Sequence, residues 1–158
     1  MKQPPGIETS PSRMVTVLSV SPSNADHAAL CSILQETKPS IDTNCRWIVH
    51  PASSVASTAE ALAQQEVPIV ISGDNLHPAT WQAILDFIST LPDPPLFIVA
   101  SRLADERLWA EALNLGAWDV LAKPFDRQEV KRVVASAWRH WQHRRNHQTN
   151  QMTAATGT

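Results

Sequence analysis

The sequence GAWDVLAKPF (residues 116–125) contains several signals of α/β architecture within ten residues. Gly116 stands where the helical pattern before it ends, which is the position at which glycine commonly terminates a helix. The mainly apolar run at 118–122 is typical of a short strand. Asp126, directly after the stretch, supplies a side-chain acceptor of the kind that begins a helix. Residues 116–126 therefore predict a helix end, a strand and a helix start in succession.

The same alternation of strand and helix signals runs through the chain ahead of this stretch. Short apolar runs predict five strands, at residues 14–20, 46–50, 67–72, 96–100 and 118–122. Helix-start residues such as Ser54, Thr80 and Asp105 follow these runs, and apolar residues recur at helical spacing after each of them. The apolar positions of the fourth predicted helix are Leu108, Trp109 and Leu113.

The predicted strands are continuous apolar runs that do not alternate apolar with polar residues. That pattern is typical of parallel sheets whose two faces are both covered by helices. Five such strands alternating with five helices predict a three-layer, doubly wound α/β sandwich of the flavodoxin-like, (βα)5 type with a five-stranded parallel sheet. In such folds the functional groups lie at the carboxyl ends of the strands.

The 158 residues, of which 43% are hydrophobic, are enough for one domain with a buried core. We expect that domain to span residues 14–143, with a disordered leader at 1–13 and a disordered tail at 144–158, because both ends lack apolar periodicity. No apolar run reaches the roughly 18 residues of a membrane span, and no signal-peptide pattern is present. Cys31 and Cys45 fit neither a zinc motif nor a disulfide framework. These features predict a cytoplasmic protein.

Charge is distributed unevenly along the chain. The total is -2, but residues 1–122 carry a net charge of -7 and residues 123–158 a net charge of +5. The total excludes a generally basic nucleic-acid-binding protein. The basic last helix also contains Trp138 and Trp141, and aromatic and basic residues together could bind nucleic acid. Their spacing of three residues favours burial on one helix face, so a nucleic-acid-binding adaptor is an alternative that we do not favour.

The stretch at 116–125 resembles the signature G-A-x-D-x-[LV]-x-K-P-F of response-regulator receiver domains (CheY-like domains) of bacterial two-component systems. The resemblance covers roughly residues 14–142, and it implies a signalling domain and not an enzyme. It also implies an aspartate that is phosphorylated at the end of strand three and Mg²⁺ held by an acidic pair after strand one. A lysine and a hydroxyl group would contact the transferred phosphoryl group.

This sequence departs from the family pattern at most of the implied positions. Ser21 and Pro22 stand where the family has its acidic pair. Ala100 stands where the family has threonine or serine, and Ser101 follows one place later. Only Lys123 matches unambiguously. We therefore expect a degenerate receiver, or pseudo-receiver, with no catalytic residue.

The end of strand three can be aligned with the family in two ways. The alignment that we favour places Gly73 at the phosphoacceptor position, and a shift by one residue makes Asp74 the phosphoacceptor candidate. Lys123 and Ser101 are then remnants of phosphate sensing, although Lys123 could equally form a structural ion pair with Asp74. We expect no cofactor and no metal, with Mg²⁺ required only if Asp74 is phosphorylated. Histidine pairs in the last helix have ligand spacing but lack a third ligand.

The resemblance also implies a contact surface formed by helix four, strand five and helix five. Its candidate residues are Arg107, Glu111, Trp118, Lys131, Arg132 and Arg139. Because few residues follow the last helix, we expect a stand-alone module whose output is protein binding, independent of phosphorylation. The expected partner is a histidine kinase or a downstream signalling protein, or a second copy in a homodimer. The alternative is a single-domain response regulator that is phosphorylated on Asp74.

Overall fold

The computed structural model describes residues 13–35, 45–76 and 80–156, with side chains described as far as Gln151. The strands are β1 (Arg13–Val20), β2 (Cys45–Ala52), β3 (Ile69–Gly73), β4 (Leu96–Ser101) and β5 (Asp119–Ala122). The helices are α1 (Asn24–Gln35), α2 (Val55–Gln64), α3 (Trp81–Ser89), α4 (Glu106–Leu115) and α5 (Arg127–Thr156). Each of the five predicted strands is present, with bounds that differ by at most two residues from those expected.

The five strands form one parallel sheet in the order β2-β1-β3-β4-β5. This confirms the predicted (βα)5 fold. The chain moves outward in one direction from β1 to β2 and in the other from β3 to β5, so the topology reverses between β1 and β3. In doubly wound sheets the crevice at the carboxyl ends of the strands on either side of this reversal is the usual place for a functional site.

The sheet separates two hydrophobic cores, as a three-layer sandwich requires. One core holds Val15, Val17 and Ile71 together with apolar residues of α1 and α5. The other holds Leu18 and Val70 together with apolar residues of α2, α3 and α4. Neighbouring residues of a strand point to opposite faces. A strand buried on both faces therefore needs apolar residues at successive positions, which explains the continuous apolar runs in the sequence.

The local signals at the helix ends act as predicted. The Asp105 carboxylate accepts a hydrogen bond from the Leu108 N–H at 2.9 Å. Asp126 accepts from the Glu129 N–H at 3.1 Å, so each aspartate satisfies an amide in the first turn of its helix. Gly116 ends α4 with a φ of 107°, a left-handed conformation that glycine adopts without the strain of a Cβ atom.

The C-terminal end of the chain differs from the prediction of a disordered tail at 144–158. α5 runs for 30 residues and continues to Thr156. Arg144 and Arg145, the first two residues beyond the expected boundary at 143, form ion pairs with Asp93 and Glu66 that fix the helix to the rest of the domain. No proline or glycine interrupts residues 146–156, and each added residue of a formed helix closes another backbone hydrogen bond.

At the other end, the predicted leader at 1–13 lies outside the described residues except for Arg13, which begins β1. Within the described part of the chain, no helix combines the length and the apolar character that a membrane span requires.

Candidate functional site

The site is built at the carboxyl edge of the sheet, where four strands end beside one another. Ser21 follows β1, Asp74 follows β3 and Lys123 follows β5. Their backbone N–H groups extend the hydrogen bonding of the sheet by one residue beyond the strands. The Ser21 N–H donates to Ala52 O at 2.9 Å, and the Lys123 N–H donates to Ser101 O at 2.9 Å. The edge is therefore held rigidly by main-chain hydrogen bonds, and its side chains have defined positions.

Lys123 forms an ion pair with Asp26 and not with Asp74, so the structural ion pair that we considered for Lys123 has a different partner. Its Nζ donates to Asp26 Oδ2 at 2.7 Å, and the two side chains are 7% and 19% exposed, respectively. Asp26 lies in the first turn of α1, where the helix dipole favours a carboxylate. Ser21 Oγ donates to the same carboxylate oxygen at 2.8 Å.

The surroundings of Asp26 favour its charged form. Partial burial acts to raise the pKa of the Asp26 carboxyl group, but the hydrogen bonds from Lys123 and Ser21 and the positive charge of Lys123 outweigh that effect. The result is a pKa below the ordinary value for aspartate. Asp26 is thus an ionised acceptor that holds the ammonium group of Lys123 in place.

Gly73 lies beside the Lys123 ammonium group at the end of β3. A Cβ atom placed on Gly73 would lie 3.2 Å from Lys123 Nζ and 2.6 Å from Asn75 Oδ1. The space beside Gly73 is therefore filled by the Asn75 side chain on one side and by Lys123 on the other. Any side chain at position 73 would require the Asn75 amide to move, so the close approach depends on glycine.

Asp74 has an exposed side chain and is joined to Ser101, the other remnant that we singled out. Ser101 Oγ donates to Asp74 Oδ2 at 2.5 Å, and the same hydroxyl accepts from the Leu103 N–H at 2.9 Å. Ser101 is fully buried at the end of β4. The structure thus pairs the two predicted residues Asp74 and Ser101 with each other, whereas Lys123 pairs with Asp26. Residues 77–79, which follow this strand end, lie outside the described residues.

Three polar residues near Lys123 were not among the sequence candidates, namely Asp26, His27 and Ser19. His27 Nε2 lies 3.0 Å from Ser21 O, and His27 Nδ1 lies 2.8 Å from Ser19 Oγ. A carbonyl oxygen only accepts hydrogen bonds, so in the neutral ring Nε2 carries the hydrogen and Nδ1 accepts from Ser19. The signal in the sequence is the pair of serines at the end of β1 followed by Asp26-His27 in the first turn of α1.

The residues of this edge do not fit the Mg²⁺ ion that the receiver fold implies. Magnesium prefers carboxylate and water oxygens in an octahedral arrangement. Here Asp26 holds the Lys123 ammonium group, Asp74 accepts from Ser101, and the position after β1 is a buried serine hydroxyl. No group of three or more histidine, cysteine, aspartate or glutamate side chains within the described ranges could hold a metal ion.

The members of the predicted contact surface of α4, β5 and α5 have different neighbours. Glu111 accepts a hydrogen bond from Gln82 Nε2 at 3.0 Å, so it faces α3, and Arg107 lies one turn earlier on the same side. Trp118 stacks on His140 with ring centroids 4.6 Å apart, which identifies the side of α5 that faces β5. Lys131 precedes His140 by nine residues and therefore lies about half a turn away around the helix.

Two further members of the predicted surface, Arg132 and Arg139, are exposed on α5. All six residues therefore stay candidates for the contact surface, with Arg107 and Glu111 on the side of α4 towards α3 and Trp118 beside α5.

An exposed apolar strip on α4 was not foreseen. Of the residues on this helix, Ala112 is buried against the sheet, while Trp109 is 43% and Leu113 is 40% exposed. Leu103, in the preceding turn, is 78% exposed. We call this strip the α4 stripe; it consists of Leu103, Trp109, Ala110 and Leu113, and part of it lines an open groove whose rim carries Asp105 and Glu106.

The basic end of α5 is largely engaged within the domain. Trp138 and Trp141 are buried, as their spacing predicts, at 1% and 2% exposure. Arg144 donates to Asp93 at 3.2 Å and to the carbonyl oxygen of Pro94, and Arg145 pairs with Asp93 and Glu66. Both guanidinium groups also lie over the Trp141 ring. These contacts favour an anchoring role for the basic side chains over nucleic-acid binding.

Solved structures share this fold. The chain is similar to the signal receiver domain of an HD domain-containing protein from Pseudomonas fluorescens Pf-5, with a TM-score of 0.72, 24% identity, and coverage of 85% of this chain and 93% of that one. It is also similar to the receiver domain of a putative Luxo repressor protein from Vibrio parahaemolyticus, with a TM-score of 0.72, 17% identity and coverage of 83% and 95%.

A third similar structure is a chemotaxis response regulator of Vibrio cholerae, with a TM-score of 0.66, 16% identity and coverage of 78% and 98%. No protein-family model matches the sequence, and no curated protein matches it. The fold is therefore that of response-regulator receiver domains, as the motif at 116–125 led us to expect.

Proposed function

We propose that this protein is a receiver-type signalling module of a bacterial two-component pathway that binds a protein partner without being phosphorylated. The observation that carries the proposal is the ion pair between Lys123 and Asp26, next to Gly73. The only strand-end lysine of the predicted site is thus paired with a carboxylate of the chain itself, and the strand-three residue facing it has no side chain.

Phosphoryl transfer to a receiver would need three things at this edge. A carboxylate must act as the nucleophile, a cation must neutralise the incoming phosphoryl group, and oxygen ligands must hold the metal ion. Gly73 supplies no nucleophile, Lys123 is already neutralised, and Ser21 replaces an acidic ligand. Each requirement is weakened by a different residue, so the edge supports a structural role better than a chemical one.

The α4 stripe is the surface that we assign to partner binding. Its side chains expose apolar area beside a groove, and Asp105 and Glu106 at the rim of that groove carry negative charge. Exposed apolar patches with a polar rim commonly mark protein interaction sites. The complementary partner is a protein segment that presents apolar side chains flanked by lysine or arginine, such as a region of a kinase or of a downstream signalling protein.

A phosphorylation assay tests the first half of the proposal. The protein is incubated with acetyl phosphate and Mg²⁺ and measured by intact mass, and NMR spectra are recorded with beryllofluoride in the presence and absence of Mg²⁺. We expect no added phosphoryl group and no Mg²⁺-dependent shifts. An added phosphoryl group that disappears in Asp74→Ala would contradict the proposal and establish the second candidate, phosphorylation on the exposed Asp74 carboxylate.

A matched pair of variants tests the second half. The probe is an amphipathic helical peptide with leucine on one face and lysine on the flanks, and a version with glutamate in place of lysine is the control. Leu113→Gln is expected to weaken binding by about tenfold. Leu115→Gln should leave binding unchanged, because Leu115 is also exposed but follows Glu111, which contacts Gln82 of α3, by one helical turn. Equal effects of the two variants would contradict the assignment of the stripe.

Self-association is measured in parallel by sedimentation. A dimer that is lost in Leu113→Gln, with no peptide binding by the wild type, would identify a second copy as the occupant in place of a heterologous partner.

A further inference from the structure

The last helix, α5, carries two exposed histidines close to the point where it leaves the domain. His143 and His147 are four residues apart, in the sequence HRRNH. Residues at this spacing lie one above the other on the same face of a helix. A helix that binds zinc through two histidines presents them at the same spacing. On the sequence alone this pair had no third ligand to support it, but the structure shows how the two rings are arranged.

The imidazole rings of His143 and His147 lie with their centroids 4.5 Å apart and their planes at 79°. A histidine nitrogen binds zinc and similar divalent ions at about 2.0–2.1 Å, which places the ring centre about 3.2 Å from the ion. Two rings that approach one ion at a right angle therefore have centres about 4.5 Å apart, and at the tetrahedral angle about 5.2 Å apart. The observed separation matches the first value. The rings are thus spaced to take neighbouring positions on one square-planar or octahedral ion.

The positive charges nearest to this histidine pair in the sequence are mostly neutralised. Arg144 and Arg145 stand between the two histidines. Their guanidinium groups form ion pairs with Asp93 and Glu66, which hold them against the domain. Arg139, one turn before the pair, is exposed on the same face, and its charge limits the affinity for a cation. One uncompensated charge therefore acts against a bound metal ion, and the two arginines between the histidines do not.

The pair also lies where the packing of α5 against the domain ends. Trp141 is the last buried side chain of the helix in the part of the chain that the structure describes, and residues 146–151 are all exposed. A helical segment that is exposed on every side gains no stability from packing, so its turns depend on interactions within the helix. An ion held by His143 and His147 would bridge the turn that leads into this exposed segment.

We propose that His143 and His147 together bind one divalent transition-metal ion, which clamps the turn of α5 leading into residues 146–151. Cu²⁺ is expected to bind most tightly, ahead of Ni²⁺ and Zn²⁺, because affinities for nitrogen ligands follow that order. Water molecules, or the same two histidines of a second copy, fill the remaining coordination positions. Arg144 stands where zinc proteases with this spacing carry their catalytic glutamate, so the site holds an ion without hydrolytic chemistry. It is independent of partner binding at the α4 stripe.

Isothermal titration calorimetry of the full chain with CuCl₂, NiCl₂ and ZnCl₂ tests the site. The matched control is the double variant His147→Gln/Gln148→His, which keeps the composition but places the histidines five residues apart on different faces of the helix. This variant and His143→Ala are expected to bind Cu²⁺ at least about tenfold more weakly than the wild type, because one imidazole of the chelate is lost. His140→Ala removes a histidine of the same helix whose ring stacks on Trp118, and it should leave the affinity unchanged.

Amide exchange measured by NMR tests whether the ion spans the turn. In a regular helix the N–H of residue 147 bonds to the carbonyl of residue 143, so opening of this turn must release one ligand. With free Zn²⁺ at about ten times its Kd, exchange of the His147 amide should slow by about tenfold in the wild type. The amide of residue 147 in the double variant should show no such change.

Without a metal site, the two rings form only an edge-to-face contact. Wild-type affinity no higher than that of His147→Gln/Gln148→His, or binding that leaves the exchange of the His147 amide unchanged, would show this and overturn the proposal. The titration also gives the number of ions per chain. One ion per chain identifies water as the remaining ligand, and one ion per two chains identifies the second copy's histidines; either ratio supports the site.

Discussion

The two ends of the sheet are both fastened by ion pairs, but the pairs differ in burial. At the carboxyl end, Lys123 and Asp26 are 7% and 19% exposed and join residues that are 97 positions apart. At the amino end, Arg145 and Glu66 are 41% and 46% exposed, and Arg144 and Asp93 are 26% and 30% exposed. Ion pairs of similar length therefore contribute differently to stability. Water and salt screen the exposed pairs, but they leave the buried pair nearly unscreened.

The largest effect is expected at the carboxyl end. Asp26→Asn leaves the Lys123 ammonium group buried beside a neutral amide, and we expect a loss of about 3 kcal/mol in the free energy of unfolding. Urea denaturation followed by circular dichroism measures it. Asp93→Asn is the control at the amino end, and its loss is expected to be several times smaller. The double variant Asp26→Asn/Lys123→Met should regain much of the stability, because it removes the unpaired charge. Equal losses at the two ends would break the comparison.

A smaller effect follows from the lowered pKa of Asp26. Above the pKa that aspartate has in the unfolded chain, Asp26 is ionised in both states and its full contribution to stability is present. Below that value the unfolded chain binds a proton more readily than the folded protein, so stability falls as the pH drops towards the pKa of Asp26 in the folded state.

The free energy of unfolding, measured from pH 6 down to about pH 3, should therefore decline more steeply for the wild type than for Asp26→Asn. Parallel curves for the two proteins would show that the ion pair with Lys123 contributes nothing to the pH dependence.

The smallest effect is expected at the amino end. Arg145→Gln removes two exposed ion pairs and should cost about 0.5 kcal/mol at low salt. In about 1 M NaCl the difference from the wild type should disappear, because the screening length falls to roughly 3 Å. Thermal unfolding at both salt concentrations measures the change. A loss that persists in high salt would show that the contact of Arg145 with Trp141, and not its charge, anchors α5.

The features that could be predicted from the sequence are local ones. Gly116, Thr80 and Asp126 act on the residues next to them, so their roles follow from a few neighbouring positions. The sheet could also be predicted, because a strand buried on both faces needs a continuous apolar run.

The pairing of Lys123 with Asp26 could not be predicted in this way. It depends on which helix start lies beside which strand end in three dimensions, and the nearest acidic residue after β3, Asp74, was the obvious alternative. Which side of α4 faces the sheet could not be predicted from the sequence either. Leu108, Trp109 and Leu113 have helical spacing, but only the packing of Ala112 against the sheet shows that two of the three face outward.

The close approach at Gly73 has a consequence for how this domain can change by mutation. A single exchange of Gly73 for aspartate would place its Cβ atom 2.6 Å from Asn75 Oδ1, so the exposed Asn75 side chain would have to turn away, and the new carboxylate would lie next to a lysine already paired with Asp26. A carboxylate at position 73 would therefore require the Asn75 side chain to move, and it would compete with Asp26 for the Lys123 ammonium group. Two contacts that stabilise the present site, the Asn75 side chain beside Gly73 and the ion pair of Lys123 with Asp26, thus oppose the introduction of an acidic side chain at this strand end.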